Sequence, residues 1–152
     1  MGERVFIING PNLNLLGRRE PEVYGRQDLA AIASACVDKG RELGLEVDFR
    51  QSNAEAGLVD FIHQAIDEGA RAIIINAAAF THTSVAIHDA LRAFDGIIIE
   101  VHLSNTHRRE KFRHHSFISP VADGIIMGLG AHGYELALEA VSRMAREAPE
   151  RD

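Results

Sequence analysis

The chain has 152 residues, a formal net charge of −6, 46% hydrophobic and 25% charged residues. That length suits one domain, and the balance excludes a disordered chain, which buries too little apolar surface to offset its ordering entropy. No apolar run reaches the ~18–20 residues of a membrane helix, the first ten residues carry no small-residue cleavage site of a signal peptide, and the acidic balance argues against nucleic acid as partner.

Strand and helix patterns alternate along the chain. Val5-Phe6-Ile7-Ile8 is a continuous apolar run, the pattern of a strand buried on both faces. A polar loop follows from Gly10 to about Gln27. Asp28 can cap a helix that runs to Leu43 and stops at Gly44. Val47 and Phe49 alternate with polar residues in a second strand. A second helix spans Ala56 to Glu68, with Leu58, Ile62, Ala65 and Ile66 at helical spacing and Gly69 as its stop. Ala72-Ile73-Ile74-Ile75 is a third strand. Ser84 caps a helix reaching Phe94, Gly96 to Val101 is a fourth strand, and Gly124 to Met127 a fifth. A last helix covers Gly133 to Glu147, and a charged tail runs over 148–152. This alternation predicts an α/β fold: one domain over 1–152 with a parallel sheet covered on both faces.

In such sheets, ligands bind beyond the carboxyl ends of the strands. There the sequence places Asn9-Gly10-Pro11-Asn12-Leu13-Asn14-Leu15-Leu16-Gly17, then Asn76 followed by Thr81-His82-Thr83-Ser84, then Glu100-Val101-His102-Leu103-Ser104-Asn105. These are amides, hydroxyls and imidazoles, with no carboxylate cluster for magnesium. They suit a polar, hydroxylated small molecule. Glu100 and His102 lie two apart on one strand and so share a face. The pair is either a general acid with its orienting carboxylate or a structural pair. The loop Arg18-Arg19-Glu20-Pro21-Glu22-Val23-Tyr24-Gly25 suits a lid. Ionising Tyr24 at pH 7 requires its pKa to fall from ~10 to ~7, about 4 kcal/mol. One close cation lowers a pKa by ~1–3, so Arg19 plus a second guanidinium suffices. The bland alternative is a surface loop plugged by Tyr24.

Other features point away from common chemistries. Gly128-Leu129-Gly130-Ala131-His132-Gly133 matches a dinucleotide-binding spacing, but the chain beyond it reads as helix and tail with no second strand, so a tight strand–helix turn is expected. The eight histidines lack a metal-ligand spacing. His63 is expected on a helix surface, and His107, His114 and His115 in a polar loop. The basic cluster Arg108, Arg109, Lys111 and Arg113 suits a small anion or solvent. Cys36, alone, is expected as a buried small hydrophobe. Of 16 basic residues only Lys39 and Lys111 are lysine, which leaves few candidates for a Schiff base.

These residues together resemble the type II 3-dehydroquinate dehydratase family. The resemblance runs from Ile7 to Tyr134 and rests on the first loop with Arg19-Glu20-Pro21 and Tyr24-Gly25, on Arg50-Gln51-Ser52-Asn53, Thr81-His82-Thr83-Ser84, Glu100 to Asn105, and Phe112-Arg113-His114-His115-Ser116. It implies a flavodoxin-like three-layer sandwich of strand order 2-1-3-4-5, a cytoplasmic enzyme, and a homododecamer built from trimers. It implies dehydration of 3-dehydroquinate to 3-dehydroshikimate in the shikimate pathway, or in quinate breakdown, without metal or organic cofactor.

The roles it carries over are specific. Tyr24 would act as phenolate base, Arg19 would lower its pKa with Arg113 adding field, and Asn12 would position a water at the enolate. His102, oriented by Glu100, would protonate the departing hydroxyl. Asn76, His82 and Arg113 would hold ring hydroxyls, and Leu103, Ser104 and Asn76 the carboxylate. Asp89 would reach a neighbouring subunit's site.

Two departures stand out: Ala77-Ala78-Ala79 where the family often has Pro and Gly, and His88 where it often has Arg. Alanines there are expected to keep the loop out of positive φ, and His88 to alter a subunit contact. The rival class, a flavin or phosphate receiver, needs a hydroxyl-rich or acidic loop after strand one, and this loop is rich in Asn and Leu.

Overall fold

The computed structural model describes residues 2–18, 20, 22 and 27–147. Arg19, Tyr24 and the charged tail from 148 lie outside the described residues. The apolar runs form five strands: β1 (Glu3–Asn9), β2 (Leu45–Gln51), β3 (Ala72–Asn76), β4 (Ile97–His102) and β5 (Gly124–Met127). All neighbours pair in parallel, in the order β2-β1-β3-β4-β5. The resemblance implied this order.

Four α-helices are described: α1 (Leu29–Glu42), α2 (Glu55–Asp67), α3 (Val85–Arg92) and α4 (His132–Glu147). The period-two geometry of the strands divides the core between the two faces of the sheet. Val5, Ile7, Ile74, Ile99 and Val101 pack with Ile32 and Cys36 of α1 and Ala137, Leu138 and Val141 of α4. Phe6, Ile8, Ile73, Ile75 and Ile98 pack with Leu58, Ile62 and Ala65 of α2 and Ile87 and Leu91 of α3. Each fully buried side chain of this kind contributes roughly 1.5–3 kcal/mol. Ile66 departs from the expected stripe. It sits in the last turn of α2, on its outer flank, and is exposed.

The helix signals match local chemistry. Asp28 Oδ1 accepts from the Ala31 N–H at 2.8 Å, and Ser84 Oγ accepts from the Ile87 N–H at 3.0 Å. Each cap satisfies an amide that the helix itself leaves unpaired. Gly44 and Gly69 follow α1 and α2 at φ 73° and 66°, where a Cβ is unfavourable. The segment 128–131 is the tight turn between β5 and α4, with Gly128 and Gly130 at φ 89° and 62°.

The exits of β1 and β3 are in direct contact. Gly10 N–H donates to the Asn76 carbonyl at 2.8 Å, and a Cβ on Gly10 would lie 2.3 Å from the Ala77 carbonyl oxygen. Only glycine permits that approach.

Beside it, the expectation for the alanine run is overturned. Ala78 adopts φ 52°. The cause is local hydrogen bonding: Asn76 Oδ1 accepts from the Ala78 N–H at 3.2 Å, and the Ala77 carbonyl accepts from Phe80 N–H at 3.1 Å. Together they turn the chain into the 3-10 segment Ala78–His82 despite the Cβ. An L-residue in this region is disfavoured by about 1–2 kcal/mol. Ala78→Gly is therefore expected to stabilise the fold by about 0.5–1 kcal/mol after the larger unfolded-state entropy of glycine. Urea unfolding at fixed protein concentration checks this, and a lower midpoint would show that Ala78 is not strained.

Candidate active site

The register of the sheet brings the three polar exits together. Asn9 pairs with both Gln51 and Asn76, so these three side chains mark one level at the carboxyl edge. Above that edge opens a cleft of about 80 Å³. Its lining includes Asn12, Asn76, His82, His102, Leu103, Ser104 and Arg113, together with Leu13, Leu16 and Arg109.

The floor is set by a buried network. Tyr134 Oη donates to Asn9 Oδ1 at 2.6 Å and accepts from Asn76 Nδ2 at 3.0 Å. Asn9 Nδ2 in turn donates to the Arg50 carbonyl at 3.0 Å. With Oδ1 engaged by Ala78 and one N–H by Tyr134, the Asn76 amide cannot flip, and one N–H remains for a ligand. Burial pushes the Tyr134 phenol well above its ordinary range, against a smaller opposing effect of Asn76. Tyr134 therefore serves as a positioning hydroxyl and cannot be a base.

The first loop is braced from β2. Asn12 sits at φ 70° and its N–H donates to Asn53 Oδ1 at 3.0 Å. Gln51 Nε2 donates to the Gly10 carbonyl at 3.1 Å and to Asn53 Oδ1 at 3.0 Å. This gives Gln51 and Asn53 a physical role: they hold the loop that carries Asn12.

His102 and Glu100 end β4, and both are buried. His102 Nε2 lies 2.6 Å from Glu100 Oε2. Its Nδ1 has no hydrogen-bond partner among the described residues and is available to the cleft. Burial alone would raise the Glu100 pKa, but hydrogen bonds from His102, Ser119 and Ser116 hold it below the ordinary carboxylate range. The net anion is the natural partner of an imidazolium.

His82 Nδ1 donates to the His115 carbonyl at 2.7 Å, which places the proton on Nδ1 and leaves Nε2 as acceptor. Burial first, then the charges of His102 and Arg113, keep the His82 pKa below its usual value, against the opposing pull of the His115 carbonyl. A neutral imidazole able to accept from a hydroxyl is the result. Arg113 also lines the cleft, and its Nε donates to Glu110 Oε2 at 2.8 Å, which orients its guanidinium.

Not every expected residue lies here. Asp89 is exposed on α3 and does not line the cleft, and His88 Nδ1 donates to the Phe117 carbonyl at 2.6 Å. His63, His107, His114 and His115 are exposed, and among the described residues no three metal-ligating side chains cluster. Lys39 is remote, bound to Glu139 at 2.8 Å, and that hydrogen bond raises its pKa. Lys111 does not line the cleft either. The sequence alone assigns nothing to Ser119 and no role to Ser116 or Tyr134, all of which touch site residues.

A family model described as dehydroquinase class II matches residues 3–142. The chain belongs to the class II dehydroquinase family. The 3-dehydroquinate dehydratase of Rhizobium johnstonii is 54% identical over 144 residues, covering 95% of this chain and 99% of its own. The 3-dehydroquinate dehydratase 2 of Pseudomonas aeruginosa is 57% identical over 139 residues, covering 91% and 93%. The crystal structure of type II dehydroquinase from Propionibacterium acnes superposes with a TM-score of 0.90 at 45% identity, covering 94% of this chain and 98% of that one. A likeness at this level spans the whole sheet and all three strand exits. In this class II dehydroquinase, β3 and β4 end in Asn76 and His102 at the cleft.

Proposed function

We propose that this chain is a type II 3-dehydroquinate dehydratase, a hydro-lyase of the shikimate pathway working in the cytoplasm as a dodecamer built from trimers. The observation that carries the reading is the buried Glu100–His102 pair below a cleft of amides, imidazole and guanidinium, in a chain whose relatives bear that name.

The chemistry follows from the groups present. Tyr24, as phenolate, takes a proton from the carbon alpha to the ketone. The electron pair moves onto the ketone oxygen as an enolate, which a water held by Asn12 stabilises. Donors aimed at developing charge typically give the largest catalytic contribution. The enolate then re-forms the ketone and expels the beta hydroxyl. His102 gives that group a proton, so it leaves as water and a carbon–carbon double bond remains. A proton passed from Tyr24 to His102 through solvent restores the enzyme. Anti loss of water needs acid and base on opposite faces of the ring: Tyr24 on the lid, His102 on the sheet.

Arg19 stabilises the phenolate. Asn76, His82 and Arg113 hold the ring hydroxyls, and Ser104 with the Leu103 amide holds the carboxylate. Asp89, away from its own cleft, reaches that of a neighbouring subunit.

The test is a dehydroquinate assay. The purified protein is expected to generate the ultraviolet absorbance of a conjugated enone from 3-dehydroquinate. Borohydride added with substrate is expected to leave activity intact, because neither lysine is placed to form an imine. A protein inert to dehydroquinate sinks the reading, and a trapped lysine adduct sinks the mechanism.

A further inference from the structure

The carboxylate behind His102 is held by two serines that touch nothing in the substrate cleft. Ser116 Oγ donates to Glu100 Oε2 at 2.8 Å, and Ser119 Oγ donates to Glu100 Oε1. The direction of the first bond is forced. Ser116 Oγ already accepts from the Ile118 N–H and the Ser119 N–H, each at 3.0 Å. A hydroxyl has two lone pairs and one proton. With both lone pairs occupied, its proton can only point at Glu100. The carboxylate thus faces three donors: two hydroxyls and the His102 Nε2–H.

Protonating the carboxyl would break at least one of these three donor bonds, because Ser119 Oγ or His102 Nε2 could accept its O–H only by giving up its own donation. We infer that Ser116 and Ser119 form a positioning clamp that keeps Glu100 an anion aimed at His102, so that Nε2 stays protonated and Nδ1 faces the reacting centre. The inference rests on the dehydratase reading for its catalytic consequence, and on geometry alone for the clamp.

Both serines and Glu100 line a second concavity, which shares His82, His102, Thr106 and Arg113 with the cleft. None of the three lines the cleft itself. The titratable and charged groups around that concavity are His82, His102, His107, Arg113, His114 and His115. None of these offers Glu100 a hydrogen bond except His102.

Ser119→Ala is the clean probe, because its side chain bonds only Glu100, whereas Ser116 also pins the loop. The Glu100 carbonyl band in pH-difference infrared spectra, identified by its loss in Glu100→Gln, gives the carboxyl midpoint without substrate. Ser119→Ala is expected to raise that midpoint by about one pH unit, the effect of one charge-assisted hydrogen bond. It is expected to lower kcat by about tenfold with KM within about twofold, and to move the acid limb of kcat to higher pH. Ser119→Thr, which keeps the hydroxyl, should restore all three.

An unmoved midpoint overturns the clamp. A moved midpoint with unchanged kcat overturns its catalytic role. The wild type gives a check that needs no variant to fold: a Glu100 midpoint at or above the ordinary ~4.3 overturns the inference. Loss of all wild-type turnover would instead strike the dehydratase reading, and the infrared midpoint still decides the clamp.

Discussion

Tyr24→Phe is expected to lower kcat by about 10³-fold while binding of a substrate analogue changes little, since a positioned base contributes roughly 10²–10⁴-fold. The chain has two tyrosines. Tyr134 is committed to Asn9 and Asn76 in the core, and burial makes its phenolate inaccessible. Of the two tyrosines, Tyr24 remains to supply a phenolate base.

Its ionisation near pH 7 requires about 4 kcal/mol of differential stabilisation. One close guanidinium lowers a neighbouring acid's pKa by only ~1–3, so two are needed. Arg113 stands on the cleft wall, and Arg19 shares the loop of Tyr24. Replacing either is expected to move the acid limb of kcat/KM to higher pH, because the phenol then keeps its proton longer as pH rises. Steady-state kinetics with analogue binding by calorimetry checks the pair of outcomes. A Tyr24→Phe enzyme that turns over within tenfold of wild type would remove the phenolate from the mechanism.

Much of the scaffold is legible in the sequence because its signals are local. The short, β-branched-rich runs Val5–Ile8 and Ala72–Ile75 read as strands buried on both faces, and Gly44 and Gly69 stop helices by a backbone preference that needs no tertiary context. Glu100 and His102 are legible as a pair because two residues so spaced on a strand must share a face.

What stays hidden is the non-local hydrogen bonding. Tyr134 meets Asn76 across 58 residues of chain and Asn9 across 125. Ser116 and Ser119 reach Glu100 from an irregular segment with no periodicity to read, and polar residues in loops are usually solvated. The positive φ of Ala78 is hidden for a related reason: the Asn76 side chain reaches its N–H and outweighs the intrinsic preference of alanine. In each case the missing information is which donor finds which acceptor, and only the assembled sheet settles that.

His102→Ala separates the two halves of the reaction. Without an acid the leaving group is hydroxide, and the parent water has a pKa of about 15.7. Expulsion is then expected to slow by roughly 10²–10⁴-fold. In the proposed mechanism the first half does not use His102. Tyr24 still removes the alpha proton, and the enolate, unable to expel hydroxide, takes a proton back from the phenol.

In heavy water the His102→Ala enzyme is therefore expected to wash deuterium into the alpha position of recovered 3-dehydroquinate while forming almost no enone. Tyr24→Phe is expected to do neither. KM in His102→Ala should stay within several-fold of wild type, because Asn76, His82 and Arg113 still line the cleft. Proton NMR of the recovered substrate reads the exchange, and ultraviolet absorbance reads the elimination. Exchange lost in step with elimination would mean that His102 serves enolate formation itself, and the division of labour between lid and sheet would have to be redrawn.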